Sequence, residues 1–302
     1  MSVMDRRDFI KSFSAALGAV ALAEAVPALA VDKKPAGGKV KTSGKIYEVF
    51  ALKYAGPFER KLAMPLFNTG WNEDIAINFY TWVIRDQQGE VTLVDTGTGT
   101  NLAKERKLTG FVPPEELVSR LGVSPEQVTR VVLTHMHYDH AGGMDAYPEL
   151  FPKAKFYVQK REFDFWLNNP LSQRAPYKNL QSAAGNRGVG ELAKGPRLVL
   201  VDGDKVIGPD MQLLLTPGHT PGLQSILLPT AKGQAIVASD SAHLARSFKD
   251  DVPSCLITDM LAWLRTYDKL RAKAPLENIF PGHDALMLTD YPKVAEDITK
   301  LA

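Results

Sequence analysis

Three histidines and one aspartate lie within six consecutive positions in the segment Thr134–His140, which reads Thr-His-Met-His-Tyr-Asp-His. In a loop, alternate residues such as His135 and His137 can point into one cavity, while Asp139 and His140 point into a neighbouring one. Imidazole and carboxylate ligands suit zinc and similar divalent ions better than they suit calcium. The segment therefore predicts a metal site, and one turn of chain could supply ligands to two ions.

The other candidate ligands each follow a short apolar run that predicts a strand. They are His219, Asp240 and His283. Functional residues of α/β sheets gather at strand ends, and glycine or proline beside the two histidines lets the backbone turn sharply. The one cysteine of the sequence, Cys255, is too few for a thiolate cage, so histidines and carboxylates must hold any metal.

This spacing of histidines and aspartates resembles the metallo-β-lactamase superfamily, from roughly Val49 to Tyr291. The resemblance is greatest to its N-acyl-homoserine lactonase family in three segments, Thr216–Gln224, Ser239–His243 and Pro281–Asp284. It implies two divalent metal ions, expected to be Zn²⁺. The first ion would be held by His135, His137 and His219, and the second by Asp139, His140 and His283. Asp240 would bridge the two.

The resemblance also assigns roles to residues beside the ligands. Asp95 is expected to support the metal loop from outside the ligand shell; alternatively, it is an ordinary turn aspartate after a strand. Asp139 is expected to help pass a proton to the leaving alkoxide as well as to bind metal. His243 departs from the lactonase pattern, which has tyrosine three residues after the bridging aspartate. We expect His243 to donate the same hydrogen bond to the substrate carbonyl; alternatively, it turns away to a surface carboxylate.

Short β-rich runs alternate with helical stretches from Ile46 onward, which predicts an α/β fold. The expected architecture is an αββα sandwich of two mixed β-sheets flanked by helices, the metallo-β-lactamase fold. Predicted strands are 80–85 and 90–94, which form a hairpin, then 131–133, 156–159, 197–201, 211–215, 225–228, 235–238 and 279–280. One helix is expected between Pro113 and Gly122, and a second has the apolar face Met260, Leu261, Leu264, Tyr267 and Leu270.

Residues 161–196 interrupt this regular alternation and are predicted to be a long insertion that could cover a pocket. Its apolar side chains either wall an acyl-chain pocket or pack the insertion itself. They are Phe163, Phe165, Trp166, Leu167 and Tyr177.

The N-terminal segment has the features of an export signal. Residues 1–30 resemble a twin-arginine signal peptide, with Arg6 and Arg7 before an apolar stretch and expected cleavage after Ala30. The alternative is a membrane-anchoring helix. Residues 31–45 are expected to be a flexible tether and residues 46–302 the hydrolase domain. The predicted location is the periplasm, reached through the twin-arginine export machinery, without stable membrane anchoring after cleavage.

Composition narrows the function further. The chain of 302 residues is 45% hydrophobic and 23% charged, with a net charge of only +2, so a globular protein is expected and nucleic acid is excluded as a main partner. The predicted activity is hydrolysis of a small ester, most simply the opening of a lactone ring by a metal-bridging hydroxide. The alternatives are phosphotriester, aryl ester or thioester hydrolysis at the same centre, or a non-catalytic metal-binding module.

Overall fold

The computed structural model describes residues 44–302. The expected signal peptide, 1–30, and nearly all of the expected tether, 31–45, lie outside the described residues. No helix among residues 44–302 combines the length and the apolar character that a membrane span requires.

Thirteen strands lie within the described residues. They are β1 Tyr47–Lys61, β2 Asp74–Asp86, β3 Val91–Val94, β4 Val128–Val132, β5 Lys155–Gln159, β6 Leu198–Val201, β7 Lys205–Gly208, β8 Met211–Leu215, β9 Gln224–Thr230, β10 Gly233–Ser239, β11 Ile279–Pro281, β12 Lys293–Ala295 and β13 Ile298–Lys300. The strands form an eight-stranded sheet in the order β12-β13-β1-β2-β3-β4-β5-β6 and a five-stranded sheet in the order β11-β10-β9-β8-β7. Both sheets contain parallel and antiparallel pairs, which confirms the prediction of two mixed sheets.

The α-helices of the described residues are short, except for two that exceed nine residues. They are Thr100–Glu105, Pro114–Arg120, Tyr138–Ala141, Tyr147–Leu150, Lys160–Phe163, Ala175–Lys178, Ala183–Leu192, Ala245–Asp250 and Met260–Arg271. Single turns of 3₁₀ helix lie at Pro125–Gln127, Pro170–Gln173, Leu276–Asn278 and Ala285–Leu288, and a π turn at Asp164–Asn168.

Alternation along the strands divides the core into layers. Leu93 and Val131 face the helices on the outside of the larger sheet, whereas the residues that follow them, Val94 and Val132, face the smaller sheet. The layer between the sheets also contains Val237 of β10. On the far side, the helix Met260–Arg271 covers the smaller sheet. This arrangement confirms the helix–sheet–sheet–helix sandwich.

The buried face of the helix Met260–Arg271 differs from the prediction. Trp263, Tyr267 and Leu270 are fully buried, whereas Leu261 is 67% exposed. Thr266 is buried as well, so the buried face of the helix consists of positions 263, 266, 267 and 270. The predicted face was wrong by part of a turn because Leu261 was counted as core and Thr266 was not.

Candidate metal centre

The loops after β4, β8, β10 and β11 meet at one point and bring the predicted ligands together. The first group is His135, His137 and His219, whose ligand atoms all lie within 4.8 Å of one another. The second group, Asp139, His140 and His283, satisfies the same limit. Every histidine in both groups is buried.

Asp240 lies between the two groups. Its Oδ2 is 3.3 Å from His219 Nε2 and 4.0 Å from His135 Nε2, both in the first group. The same oxygen is 3.1 Å from His283 Nε2, and Oδ1 is 3.4 Å from His140 Nε2, both in the second group. One carboxylate therefore reaches both sets of histidines. A side chain at Gly282 would collide with the Asp240 carboxylate, which explains the glycine before His283.

Unsatisfied polar atoms concentrate at this point. In residues 44–302, seven buried side-chain nitrogen or oxygen atoms lack a hydrogen-bond partner, and four of them lie here: His135 Nε2, His140 Nε2, Asp240 Oδ1 and His243 Nε2. A buried polar atom without a partner costs about 1–3 kcal/mol. Imidazole nitrogens and carboxylate oxygens that converge without hydrogen-bond partners are the donor set of a divalent transition-metal ion, so the residues present fit such ions.

The histidines of the two groups differ in their pKa values. Burial, assisted by the neighbouring imidazoles, lowers the pKa of His135 and His137 well below the usual range. Burial also lowers the pKa of His219 to about 3, although the Asp240 carboxylate opposes it. The first group is therefore neutral at pH 7, which is the form of imidazole that binds metals.

The second group has more negative charge around it. Burial alone would lower the pKa of His140, but the carboxylates of Asp240, Asp139 and Asp95 raise it to about 10. Burial would likewise raise the pKa of Asp240, but the imidazoles of His283, His140 and His243 hold it well below its usual value. The carboxylates of this group thus attract positive charge, as a cation site requires.

Asp95 connects the larger sheet to the metal loop. It follows β3 and is fully buried. Its Oδ1 accepts from the Thr134 backbone N–H at 2.7 Å, and its Oδ2 accepts from the Thr134 hydroxyl and from His140 Nδ1, both at 2.8 Å. These bonds turn His140 Nε2 towards Asp240. A ligand histidine whose other nitrogen is held by a carboxylate has a fixed ring orientation.

Sequence analysis missed Glu162, which holds two metal loops together. This carboxylate is fully buried and accepts four hydrogen bonds. The donors are the Met136 N–H at 2.9 Å, the Trp166 Nε1–H at 2.6 Å, the Thr220 hydroxyl at 2.8 Å and the Gly222 N–H at 2.9 Å. Met136 lies between two ligands of the first group and Thr220 follows the third. Glu162 therefore positions that whole group.

Two further residues that the sequence did not reveal also support the site. The Tyr54 hydroxyl donates to the Asp139 carbonyl at 2.6 Å from within the core. Asp284 Oδ2 accepts from the Ala245 N–H at 2.9 Å and so ties the loop after β11 to the loop that carries His243. Tyr54 lies in no sequence motif, and Asp284 lies in the segment Pro281–Asp284, which gave it no role, so the tertiary contacts identify both.

His243 faces the metal centre and not a surface carboxylate. Its Nε2 is 3.1 Å from Asp240 Oδ2 but has no hydrogen-bond partner. The ring lies against those of His219 and His283, with centroid separations of 5.3 and 5.0 Å. Burial lowers the pKa of His243, so the ring is neutral at pH 7 and has one N–H to donate.

A cavity of about 300 Å³ opens over the metal centre. Its floor contains His137, Asp139, Asp240, His243 and His283. Apolar side chains form its walls: Met64, Pro65, Ile77, Phe79, Leu180 and Leu256. The predicted insertion contributes Leu180 and thereby covers one side, as its position in the sequence suggested.

The aromatic residues of the insertion have mixed roles. Trp166 and Tyr177 line a smaller cavity of about 150 Å³ beside His137. Phe163, Phe165 and Leu167 line neither this cavity nor the one over the metal centre, and they pack on the core of the larger sheet. Of the two interpretations of these side chains, packing holds for these three.

Known proteins resemble this chain in both sequence and fold. Residues 80–283 match the model of the Metallo-beta-lactamase superfamily. An N-acyl homoserine lactonase of Bacillus cereus is 27% identical over 233 residues, which are 69% of this chain and 82% of the relative. The structure of a quorum-quenching N-acyl homoserine lactone lactonase aligns with a TM-score of 0.66 at 21% identity, over 82% of this chain and 97% of the other.

A dizinc quorum-quenching lactonase aligns with a TM-score of 0.61 at 23% identity, over 82% of this chain and 90% of the other. At such identities the structural likenesses show a common fold. The family match covers all of the smaller sheet and part of the larger one, from within β2 to the last predicted ligand, His283. With the buried histidine–aspartate cluster at the loop ends, it identifies the chain as a metal-dependent hydrolase that belongs to the metallo-β-lactamase superfamily.

Proposed function

We propose that this chain is a dinuclear hydrolase that opens a lactone ring of the N-acyl-homoserine lactone type. The observation that carries the proposal is the position of Asp240, within 4.0 Å of histidines from two separate three-residue groups. Each group has the number of ligands that one zinc-type ion takes from a protein at a catalytic site. The relatives named as lactonases support the choice of substrate class.

The residues around the cavity have distinct tasks in this reaction. Divalent ions held by the two groups of histidines and aspartates would activate water and polarise a carbonyl oxygen. His243 donates a hydrogen bond from its neutral ring to the substrate carbonyl oxygen as that oxygen gains negative charge. Asp139, which lines the cavity, accepts the proton that the attacking water loses and passes it to the ring oxygen as that oxygen leaves. The apolar walls exclude water from the acyl part of the substrate.

One purified sample can separate this function from its alternatives. Lactone, aryl ester, phosphotriester and thioester substrates are compared by kcat/KM, and bound metal is counted by elemental analysis. We expect two ions per chain and the highest kcat/KM for a lactone. A higher value for another class would assign the same centre to that substrate, and bound metal without turnover of any class would favour a non-catalytic metal-binding module.

Changing His243 tests its contact with the substrate. We expect His243→Tyr to retain lactone hydrolysis, because a phenol can donate the same hydrogen bond. His243→Ala is expected to lower kcat by about 10²–10³-fold, as for the loss of one donor to an oxyanion. The metal content of all three proteins should be equal, which separates this role from metal binding. Equal rates for the three would show that the side chain makes no contact with the reacting carbonyl.

We also propose that the chain is exported to the periplasm by the twin-arginine machinery, on the strength of the sequence pattern in residues 1–30. Replacing both Arg6 and Arg7 with lysine is expected to retain the uncleaved protein in the cytoplasm. Cell fractionation and N-terminal sequencing would measure this, with a new N-terminus at Val31 in the exported wild type. Unchanged export of the double variant would contradict the proposal.

A further inference from the structure

Two arginines line the cavity over the metal centre. Arg60 lies near the end of β1, and Arg106 follows the helix Thr100–Glu105. Arg60 is half-buried and Arg106 is exposed, whereas the histidines that line the same cavity are buried. Arginine contributes nothing to binding divalent ions, and the hydrolytic steps assigned to Asp139 and His243 do not require it.

Both guanidinium groups are held in place without a carboxylate partner. Arg60 donates to the Glu59 carbonyl at 2.8 Å, and its guanidinium carbon is 5.4 Å from the centre of the Phe58 ring. Arg106 donates to the Asn179 carbonyl at 2.8 Å, and its guanidinium carbon is 3.8 Å from the centre of the Tyr138 ring. In the part of the chain that the structure describes, five other arginines form carboxylate ion pairs within 4.0 Å, but these two form none.

The environment of each arginine favours a fixed position. An arginine stacked on an aromatic ring and bonded to a backbone carbonyl has lost much of its side-chain freedom, and most of its five N–H donors remain for a ligand. Two such groups beside one cavity form a site for an anion, because arginine binds carboxylate, sulfate and phosphate with two parallel hydrogen bonds. A neutral acyl chain would gain nothing from either charge.

We propose that the substrate of this chain carries an anionic group, most simply a carboxylate, which Arg60 and Arg106 bind while the scissile ester faces the metal ligands. The inference rests on the proposed ester hydrolysis and changes its substrate from a neutral N-acyl-homoserine lactone to an ester or lactone that carries a negative charge. The cavity of about 300 Å³ is at the small end of the range of about 300–1,000 Å³ for ligand sites, so the substrate is compact. The cavity is also lined by Ile77, Phe79 and Leu256, so we expect the substrate to have an apolar part between its anionic group and its ester.

The kinetic test compares an anionic ester with a neutral one of similar shape in the metal-loaded enzyme. The two substrates are mono-4-nitrophenyl glutarate and its methyl ester. Hydrolysis of each is monitored by the release of 4-nitrophenolate. We expect wild type to prefer the anion, and Arg60→Gln and Arg106→Gln each to lower the anion-to-neutral ratio of kcat/KM by about tenfold or more. The preference should weaken as salt is added, because the guanidinium of Arg106 is exposed. The matched control is Arg265→Gln, an exposed arginine outside the cavity, which should leave the ratio unchanged.

A binding test keeps this inference separate from the proposed reaction. Calorimetric titration of the metal-loaded protein compares glutarate with butyrate. Both have a carboxylate that can face the metal ligands, but only glutarate has a second one for the arginines. We expect glutarate to bind more tightly, by about tenfold, and the two arginine variants to remove the difference. If esters are hydrolysed but neither test shows a preference for the anion, the inference about the arginines is overturned. If no ester is hydrolysed but glutarate is preferred through these arginines, the hydrolase proposal fails and the anion site stands.

Discussion

Asp240→Ala is expected to lower lactone hydrolysis by at least about 10⁴-fold and to leave fewer than one metal ion per chain in place of two. Among the residues that the structure describes, Asp240 is the one carboxylate that reaches histidines of both groups, at 3.3 Å on one side and 3.1 Å on the other. Its removal would take a ligand from both ions and leave the three histidines of the first group without a neighbouring carboxylate. Two divalent ions held close together would then repel each other without a negative charge between them.

The geometry predicts a different result for His137→Ala. His137 belongs to the first group alone, where its Nδ1 is 3.0 Å from His219 Nε2. We therefore expect this variant to lose lactone hydrolysis as well but to keep about one ion per chain, bound by Asp139, His140 and His283. Elemental analysis of the two purified variants, alongside circular dichroism as a check on folding, measures the difference.

The control for both variants is Asp268→Ala. Asp268 lies on the helix Met260–Arg271, and its carboxylate is 83% exposed. It should keep wild-type activity and metal content. Wild-type turnover in folded His137→Ala, or two ions retained in Asp240→Ala, would contradict the dinuclear assignment.

The candidate ligands could be found in the sequence because each lies in a loop that follows a strand. Two of these strands, β8 and β11, end beside a glycine or proline turn, which marks the position of a candidate histidine. Residues with partners that are distant in sequence gave no such signal. Glu162 directly follows Lys160 and Arg161, which is the composition of an exposed helix start, yet three of its four donors lie 26 to 60 positions away. Spacing within the sequence does not report such contacts.

The sequence predicted some strands of the fold correctly and missed others. Strands with continuous apolar runs, such as β8, were predicted with the observed bounds. The longest strand, β1, was missed because Gly56 and Pro57 interrupt it and its last residues, Glu59 to Lys61, are charged. Its pairing with β2 shifts register at this point, so the strand continues past a feature that normally ends one. Arg60 was overlooked for the same reason.

Glu162→Ala is expected to lower the free energy of unfolding by about 3–5 kcal/mol, although Glu162 is not a proposed metal ligand. The substitution leaves four buried donors unsatisfied, on Met136, Trp166, Thr220 and Gly222. Burial raises the pKa of Glu162, and these donors oppose the rise by stabilising the ionised carboxylate. Since Met136 and Thr220 lie beside ligands, we also expect metal affinity to fall by about 10–100-fold.

Denaturant unfolding of the metal-free protein measures the first effect, and competition with a chelator measures the second. Glu162→Gln keeps the shape and one acceptor oxygen but turns an amide N–H₂ towards two of the donors, so both effects should be intermediate. It also serves as the test if the alanine variant does not fold. Glu191→Ala removes a carboxylate that is 71% exposed and paired only with Lys194, and stability should change by no more than about 0.5 kcal/mol. If Glu162→Gln and Glu191→Ala bind metal with equal affinity, the buried carboxylate does not position the ligands, and the first group must be held by the strand ends alone.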